Sequence, residues 1–146
     1  MFYNGIMKQN ITSTLAMQNF GENIAKKLPS GSVIELIGDV GAGKTTLVKG
    51  IGKGLGVKET IQSPSYTIFC KYDGSEKDLH HYDFYRLQDP GLVSFDLEES
   101  LHTQNTITVV EWGDSIKGIL PENHVTIRIT PISDDERQVD IEGVEL

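Results

Sequence analysis

The sequence predicts an α/β fold, with a mostly parallel central sheet, an antiparallel extension and helices on both faces. Three observations carry this. "SVIELIG" and "NTITVVEWGD" are short runs rich in β-branched residues, the pattern of buried strands. "STLAMQNFGENIAKKL" and "KTTLVKGIGKGL" place apolar residues three to four apart, the helical period. The later runs "HVTIRIT" and "RQVDIEGVEL" are strands in succession, which suggests antiparallel neighbours.

The elements follow in order. The first ten residues read as a loose tail, with a short edge strand near Gln9 to Thr12. Ser13 is placed to cap a helix whose apolar stripe is Met17, Phe20, Ile24 and Leu28, and "PSG" at Pro29 to Gly31 stops it. A second helix is expected from Lys44 to Leu55, with Leu47, Val48, Ile51 and Leu55 on one side. Gly50, Gly52 and Gly54 lie inside it, each unfavourable by about 1 kcal/mol against alanine. "ETIQSPSYT" is a loop punctuated by Pro64, and "YTIFCKY" and "DLHHYDFYRL" are two strands joined by the turn "DGSEK". "DPGLVSFDLEESL" reads as short helical pieces. The run ending at Glu111 and the alternation of Val125, Ile127 and Ile129 complete the strands. Residues 1–146 read as one domain.

Composition narrows the function. The chain has 146 residues, 38% of them apolar, and a formal net charge of −8. An acidic chain is repelled by phosphate backbones and anionic lipid, which argues against a solitary nucleic-acid binder. A single cysteine, Cys70, allows no intramolecular disulfide and agrees with a reducing compartment. No apolar run reaches membrane-spanning length and the N-terminus lacks a signal-peptide pattern, so a soluble cytoplasmic protein is expected.

The glycine-rich stretch between the first buried strand and the second helix carries the strongest signal. Gly38, Asp39, Val40, Gly41, Ala42, Gly43, Lys44 and Thr45 match G-x-x-x-x-G-K-[ST], with Thr46 following. A loop that wraps a phosphate must turn successive backbone N–H groups inward, which requires bare backbone, and the next helix offers its N-terminal dipole to the same anion. Lys44 reaches the β- and γ-phosphates and the Thr45 hydroxyl ligates Mg²⁺. A P-loop nucleotide site of this kind also needs a carboxylate near the metal. Glu111 ends an apolar strand as a Walker B acid does, and is the expected metal ligand, directly or through water. Asp83, in "HHYDFYR", is the second metal ligand or the group that orients water, and the two roles are interchangeable on sequence alone. At strand spacing His81, Asp83 and Tyr85 share one face, and His80, Tyr82 and Phe84 the other. His80 and His81 are therefore poor metal ligands. Ser65, in "SPSY", is a candidate γ-phosphate contact, and Trp112 a wall beside the nucleotide or a packing residue. Cys70 is expected in the core. The chain has three arginines, Arg86, Arg128 and Arg137, and Arg86 is placed to face the site or a partner. Phosphoryl transfer is often accelerated by an arginine supplied in trans, so slow ATP hydrolysis raised by a partner is expected.

"GDVGAGKTT", "SPSY", "HYDFYRL" and "VVEW", in this order and spacing, make the chain resemble the TsaE (YjeE) family from about Ser13 to Arg128. The first is close to the family's GDLGAGKTT and the third to its HxDxYRL. "SPSY" differs from the usual SPT followed by an aromatic, Gly113 stands where the family has proline after the tryptophan, and the usual threonine near Met17 is missing. The resemblance implies a bacterial P-loop ATPase needed for threonylcarbamoyladenosine in tRNA, with ATP and Mg²⁺ as cofactors and TsaD and TsaB as partners. Contact with tRNA is then indirect, through the complex. It further implies that Gly38 to Thr46 hold the phosphates, that Thr45 and Glu111 serve Mg²⁺, and that Asp83 belongs to the active site. The competing readings are a small P-loop metabolite or nucleoside kinase, against which stands the lack of an arginine-rich lid, and a GTP switch, against which stands the lack of N-K-x-D.

Overall fold

The computed structural model describes residues 5–64, 68–85, 91–112 and 118–144, with side chains omitted at 91–95. The chain runs β1 (Ile6–Ile11), α1 (Thr14–Lys27), β2 (Val33–Ile37), α2 (Lys44–Leu55), β3 (Phe69–Tyr72), β4 (Asp78–Asp83), α3 (Gly91–Leu101), β5 (Thr106–Glu111), β6 (Val125–Pro131) and β7 (Arg137–Glu142). The seven strands form one sheet in the order β1-β7-β6-β2-β5-β4-β3. Its centre, β6-β2-β5-β4, is parallel, and both margins are antiparallel. The expected α/β architecture is therefore present, with antiparallel pairing at both margins. Two details differ from expectation. The edge strand starts at Ile6 and pairs with β7, so residues 6–10 are held in the sheet and are not a loose tail. The segment after Asp89 forms one helix of 11 residues where short pieces were expected.

Helices cover both faces. Ile34 and Leu36 of β2, Leu79 of β4 and Ile107 and Val109 of β5 pack with α1 and α2 in the main core. On the opposite face Val33, Tyr82, Phe84 and Val110 pack with Leu97 of α3 and with Leu120. Strands covered on both sides need no polar alternation, and β2 is buried at four of its five positions. Ser13 caps α1 as expected, its Oγ accepting from the Ala16 N–H at 3.0 Å. On the α3 face, Ser100 is buried between His80 Nδ1 (2.9 Å) and the Tyr82 hydroxyl. Tyr82 Oη donates to the Asp96 carbonyl at 3.1 Å, so Ser100 donates to Tyr82 and accepts from His80. Burial pushes the Tyr82 hydroxyl up to about 12 and holds His80 below its ordinary range, with Lys71 adding to the latter. Cys70, expected in the core, is half-buried against it.

The helical glycines are explained by the crossing of α1 and α2. A Cβ at Gly50 would fall on the Gln18 carbonyl, one at Gly54 within 2.7 Å of the Glu22 carbonyl, and one at Gly21 within 2.5 Å of the Leu47 carbonyl. The two backbones touch where these three residues lack side chains. Gly52 faces elsewhere, towards the Ile61 side chain.

Two outcomes are expected. Gly50→Ala gains about 1 kcal/mol of helix propensity but must force two backbones apart, a rearrangement that costs about 1–3 kcal/mol or more. Its melting temperature falls by several degrees in calorimetry, and an unchanged or higher value means that the helices part freely. For His80, the unfolded chain binds a proton first as pH drops below about 6.5, so stability falls with acid. In His80→Gln the loss of melting temperature between pH 7 and pH 5 is smaller than in the parent, and an equal slope removes His80 as a source.

Candidate phosphate-binding site

The site lies at the C-terminal ends of the parallel strands, between β2 and β5, whose outgoing connections lead in opposite directions, from β2 to β3 and β4 beyond β5 and from β5 to β6 beyond β2. The loop from β2 to α2 forms its floor. Gly41 (φ 83°) and Gly43 (φ 111°) adopt left-handed conformations that residues with a Cβ rarely hold. Gly43 is the N-cap of α2, and Leu47 N–H closes the first helical bond on its carbonyl at 3.0 Å. Among the described residues no side chain caps this helix, so its first-turn N–H groups and positive dipole end are offered to a ligand. Ala42 is fully buried, and its carbonyl accepts from Arg137 Nε at 3.0 Å. Arg137 Nη1 also donates to the carbonyls of Ser133 (2.8 Å) and Glu136 (3.1 Å), so one guanidinium ties the β6–β7 turn to the loop.

Strand register brings the acids together. Asp83 of β4 and Glu111 of β5 are direct partners, and Leu36 of β2 pairs with Glu111 on its other side. Both carboxylates are buried, at 4% and 3% exposure. Asp83 Oδ1 accepts from the Tyr85 N–H at 3.0 Å, which turns the chain sharply after β4. Glu111 is held at both oxygens: Oε1 is 3.5 Å from Lys44 Nζ, and Oε2 is 2.5 Å from His81 Nε2. Lys44 is itself 8% exposed, with its ammonium 4.3 Å from the centre of the Trp112 ring. Trp112 takes φ 56°, an unusual backbone for a bulky aromatic, and this turn after β5 carries its ring over Lys44. Tyr85 packs against Trp112, with ring centres 4.8 Å apart.

These groups line a cleft of about 300 Å³ with Val40, Gly41, Gly43, Thr45, Thr46 and Ser63. Its chemistry suits a phosphate held with a divalent cation. Lys44, Asp83 and Glu111 together carry one formal negative charge, which repels a polyanion unless a cation lies between. Two carboxylates and the Thr45 hydroxyl are hard oxygen donors of the kind Mg²⁺ takes. Among the described residues no three His, Cys, Asp or Glu side chains converge into a cage. Such an ion would therefore complete its shell with phosphate oxygens and water, as Mg²⁺ usually does.

The sequence-predicted residues divide among three places. Val40, Gly41, Gly43, Lys44, Thr45, Thr46, Asp83, Glu111 and Trp112 meet at this cleft. Gly38 and Asp39 line a neighbouring groove with Glu35 and Arg128, and Gly38 packs so closely that a Cβ would lie 3.1 Å from the Ile129 carbonyl. Ala42 borders a third hollow with Ser13, Met17, Asp135 and Arg137. Ser65 and Arg86 lie outside the described residues. Sequence reasoning missed the tie from Arg137 to Ala42, which spans 95 positions without any local pattern. It also missed the bond from His81 to Glu111, although placing His81 and Asp83 on one strand face was the signal that could have found it.

Comparison with known proteins gives the family. The family model described as Threonylcarbamoyl adenosine biosynthesis protein TsaE matches residues 11–139. The chain is similar to the tRNA threonylcarbamoyladenosine biosynthesis protein TsaE of Bacillus subtilis, 39% identical over 114 residues, covering 78% of this chain and 71% of that one. It is 37% identical over 126 residues to the protein of the same name from Nostoc, covering 84% and 77%. The Haemophilus influenzae protein of that name is 33% identical over 140 residues, covering 92% and 88%. The crystal structure of Bacillus subtilis YdiB superposes with a TM-score of 0.79 at 30% identity, covering 97% of this chain and 86% of that chain.

Removing the lysine charge tests the cleft. A hydrogen bond between charged groups contributes about 1.5–3 kcal/mol. Lys44→Ala is therefore expected to weaken ATP binding by about 10- to 100-fold. Trp112, the single tryptophan, reports the titration by its fluorescence. Unchanged ATP affinity in Lys44→Ala would exclude this cleft as the phosphate site.

Proposed function

We propose, because the chain belongs to the TsaE family of threonylcarbamoyl adenosine biosynthesis proteins, that it is a Mg²⁺-dependent ATPase serving the formation of threonylcarbamoyladenosine in tRNA, acting with TsaD and TsaB. The observation that carries the ATPase reading is the convergence of Lys44, Glu111 and Asp83 on the α2 N-terminus. Backbone N–H groups from Gly41 to Thr46 hold the β- and γ-phosphates, and Lys44 neutralises their charge. Thr45 and Glu111 hold Mg²⁺, which withdraws charge from the phosphate oxygens when bound. Asp83, level with Glu111 in the next strand, shares the metal or orients the attacking water. Trp112 and Tyr85 wall the cleft against solvent.

The reading includes slow intrinsic hydrolysis. Among the described residues no arginine lines the phosphate cleft: Arg128 lines the neighbouring groove, and Arg137 is engaged with backbone carbonyls. A partner that supplies a cation would raise the rate. The partner also supports the division of labour with tRNA, since a chain of net charge −8 works on a polyanion better through another protein. Among the described residues no helix is long and apolar enough to cross a membrane.

Reconstituted tRNA modification with TsaD and TsaB tests the proposal. Modification is expected to require this chain and to be lost, by 100-fold or more, with Glu111→Ala; the loss of a metal-contacting carboxylate removes several kcal/mol of charge stabilisation. Equal modification with and without the chain would sink the reading. Transfer of labelled phosphate from ATP to a small molecule in place of water would favour a kinase instead.

A further inference from the structure

We propose that His81 is a positioning residue that fixes the orientation of the Glu111 carboxylate; this rests on the reading of Glu111 as a group that serves Mg²⁺. His81 is completely buried. Its Nε2 meets Glu111 Oε2, and because a carboxylate only accepts, the proton of that bond is on Nε2. The other ring nitrogen, Nδ1, is also buried and has no hydrogen-bond partner among the described residues. A buried, half-satisfied imidazole is a costly way to fill a core position, which an aliphatic side chain would fill without penalty. Its bond to Glu111 is what the position gains in return.

The register supplies the geometry. His81 pairs with Val109, two residues before Glu111 on the same face of β5. The imidazole therefore reaches diagonally forward and takes one oxygen of the carboxylate. Oε1 remains on the side of Lys44 and the cleft. Without His81 both oxygens are free to turn onto Lys44. That collapse would withdraw the acid from a cation. Groups behind a metal ligand commonly change metal affinity by about 10- to 100-fold.

Trp112 fluorescence titrations of ATP, with Mg²⁺ and with EDTA, test this. His81→Leu is expected to reduce the enhancement of ATP affinity by Mg²⁺ about 10-fold or more, leaving affinity in EDTA within about 2-fold. His81→Gln, whose amide nitrogen can reach the place of Nε2, restores the enhancement to within about 3-fold, which a merely structural defect would not allow. In the metal-free protein, ring ¹⁵N–¹H spectra are expected to show the His81 proton on Nε2 and a shift of that signal in Glu111→Ala. A normal Mg²⁺ enhancement in His81→Leu overturns the proposal, as does His81→Gln behaving like His81→Leu. If His81→Leu does not fold, a ring spectrum insensitive to Glu111→Ala overturns it. Glu111→Ala separates the two readings. If it keeps the Mg²⁺ enhancement, the role of Glu111 falls and the proposal with it. If it loses the enhancement while His81→Leu keeps it, only the role of His81 falls.

Discussion

The level ending of three parallel strands is the constraint on which the rest of the molecule depends. β2, β5 and β4 lie side by side, and their register sets Leu36, Glu111 and Asp83 in one row. Parallel pairing in a covered sheet is hard to slip, because a shift of one residue turns each strand's buried set over. Glu111 and Asp83 are the last residues of β5 and β4. That is why two buried acids stand beside each other at the point where α2 begins. The lysine reaches them from the first turn of that helix, and the aromatic pair closes over it.

Burial gives this row of charges its character. Lys44, Glu111 and Asp83 are each at least nine-tenths hidden from water, so their mutual orientation is not averaged by solvent as on a surface. An arrangement of this kind has a strong preference for whatever completes it. A phosphate alone meets two acids, and a cation alone meets a lysine. A phosphate paired with a cation would satisfy both.

The parts of this design differ in how visible they are in the chain. The phosphate loop is legible because its glycines sit at a fixed spacing within eight residues, between a strand and a helix that have their own periodicities. The helix from Lys44 to Leu55 begins and ends where it was expected, since Gly43 and Gly56 both hold left-handed backbone at its limits. Glu111 and Asp83 were legible as strand ends, but their pairing was not, because register between β4 and β5 is set by packing across the whole sheet. The early start of β1 at Ile6 has a similar cause: its residues alternate poorly, and pairing with β7 overrides their weak pattern. The single helix at Gly91–Leu101 is held from outside, by Ser100 and the Asp96 carbonyl bonding to β4 side chains. The contact of Arg137 is a long-range bond with no local signal for its partner, and that of His81 was signalled only by the strand face it shares with Asp83.

The glycines inside α2 looked like a weakness of the helix, yet at the crossing with α1 they set a register lock. Where Gly50 meets Gln18, and Gly21 meets Leu47, only hydrogen fits between the backbones. Sliding either helix along its axis by one residue would bring a side chain, such as Lys49 or Ile51, to a place with no room for it. The axial position of α2 is thereby indexed to that of α1, whose Ser13 end borders the hollow next to the phosphate loop. The glycine-rich loop and that hollow are thereby held at one fixed spacing, set at three positions without side chains.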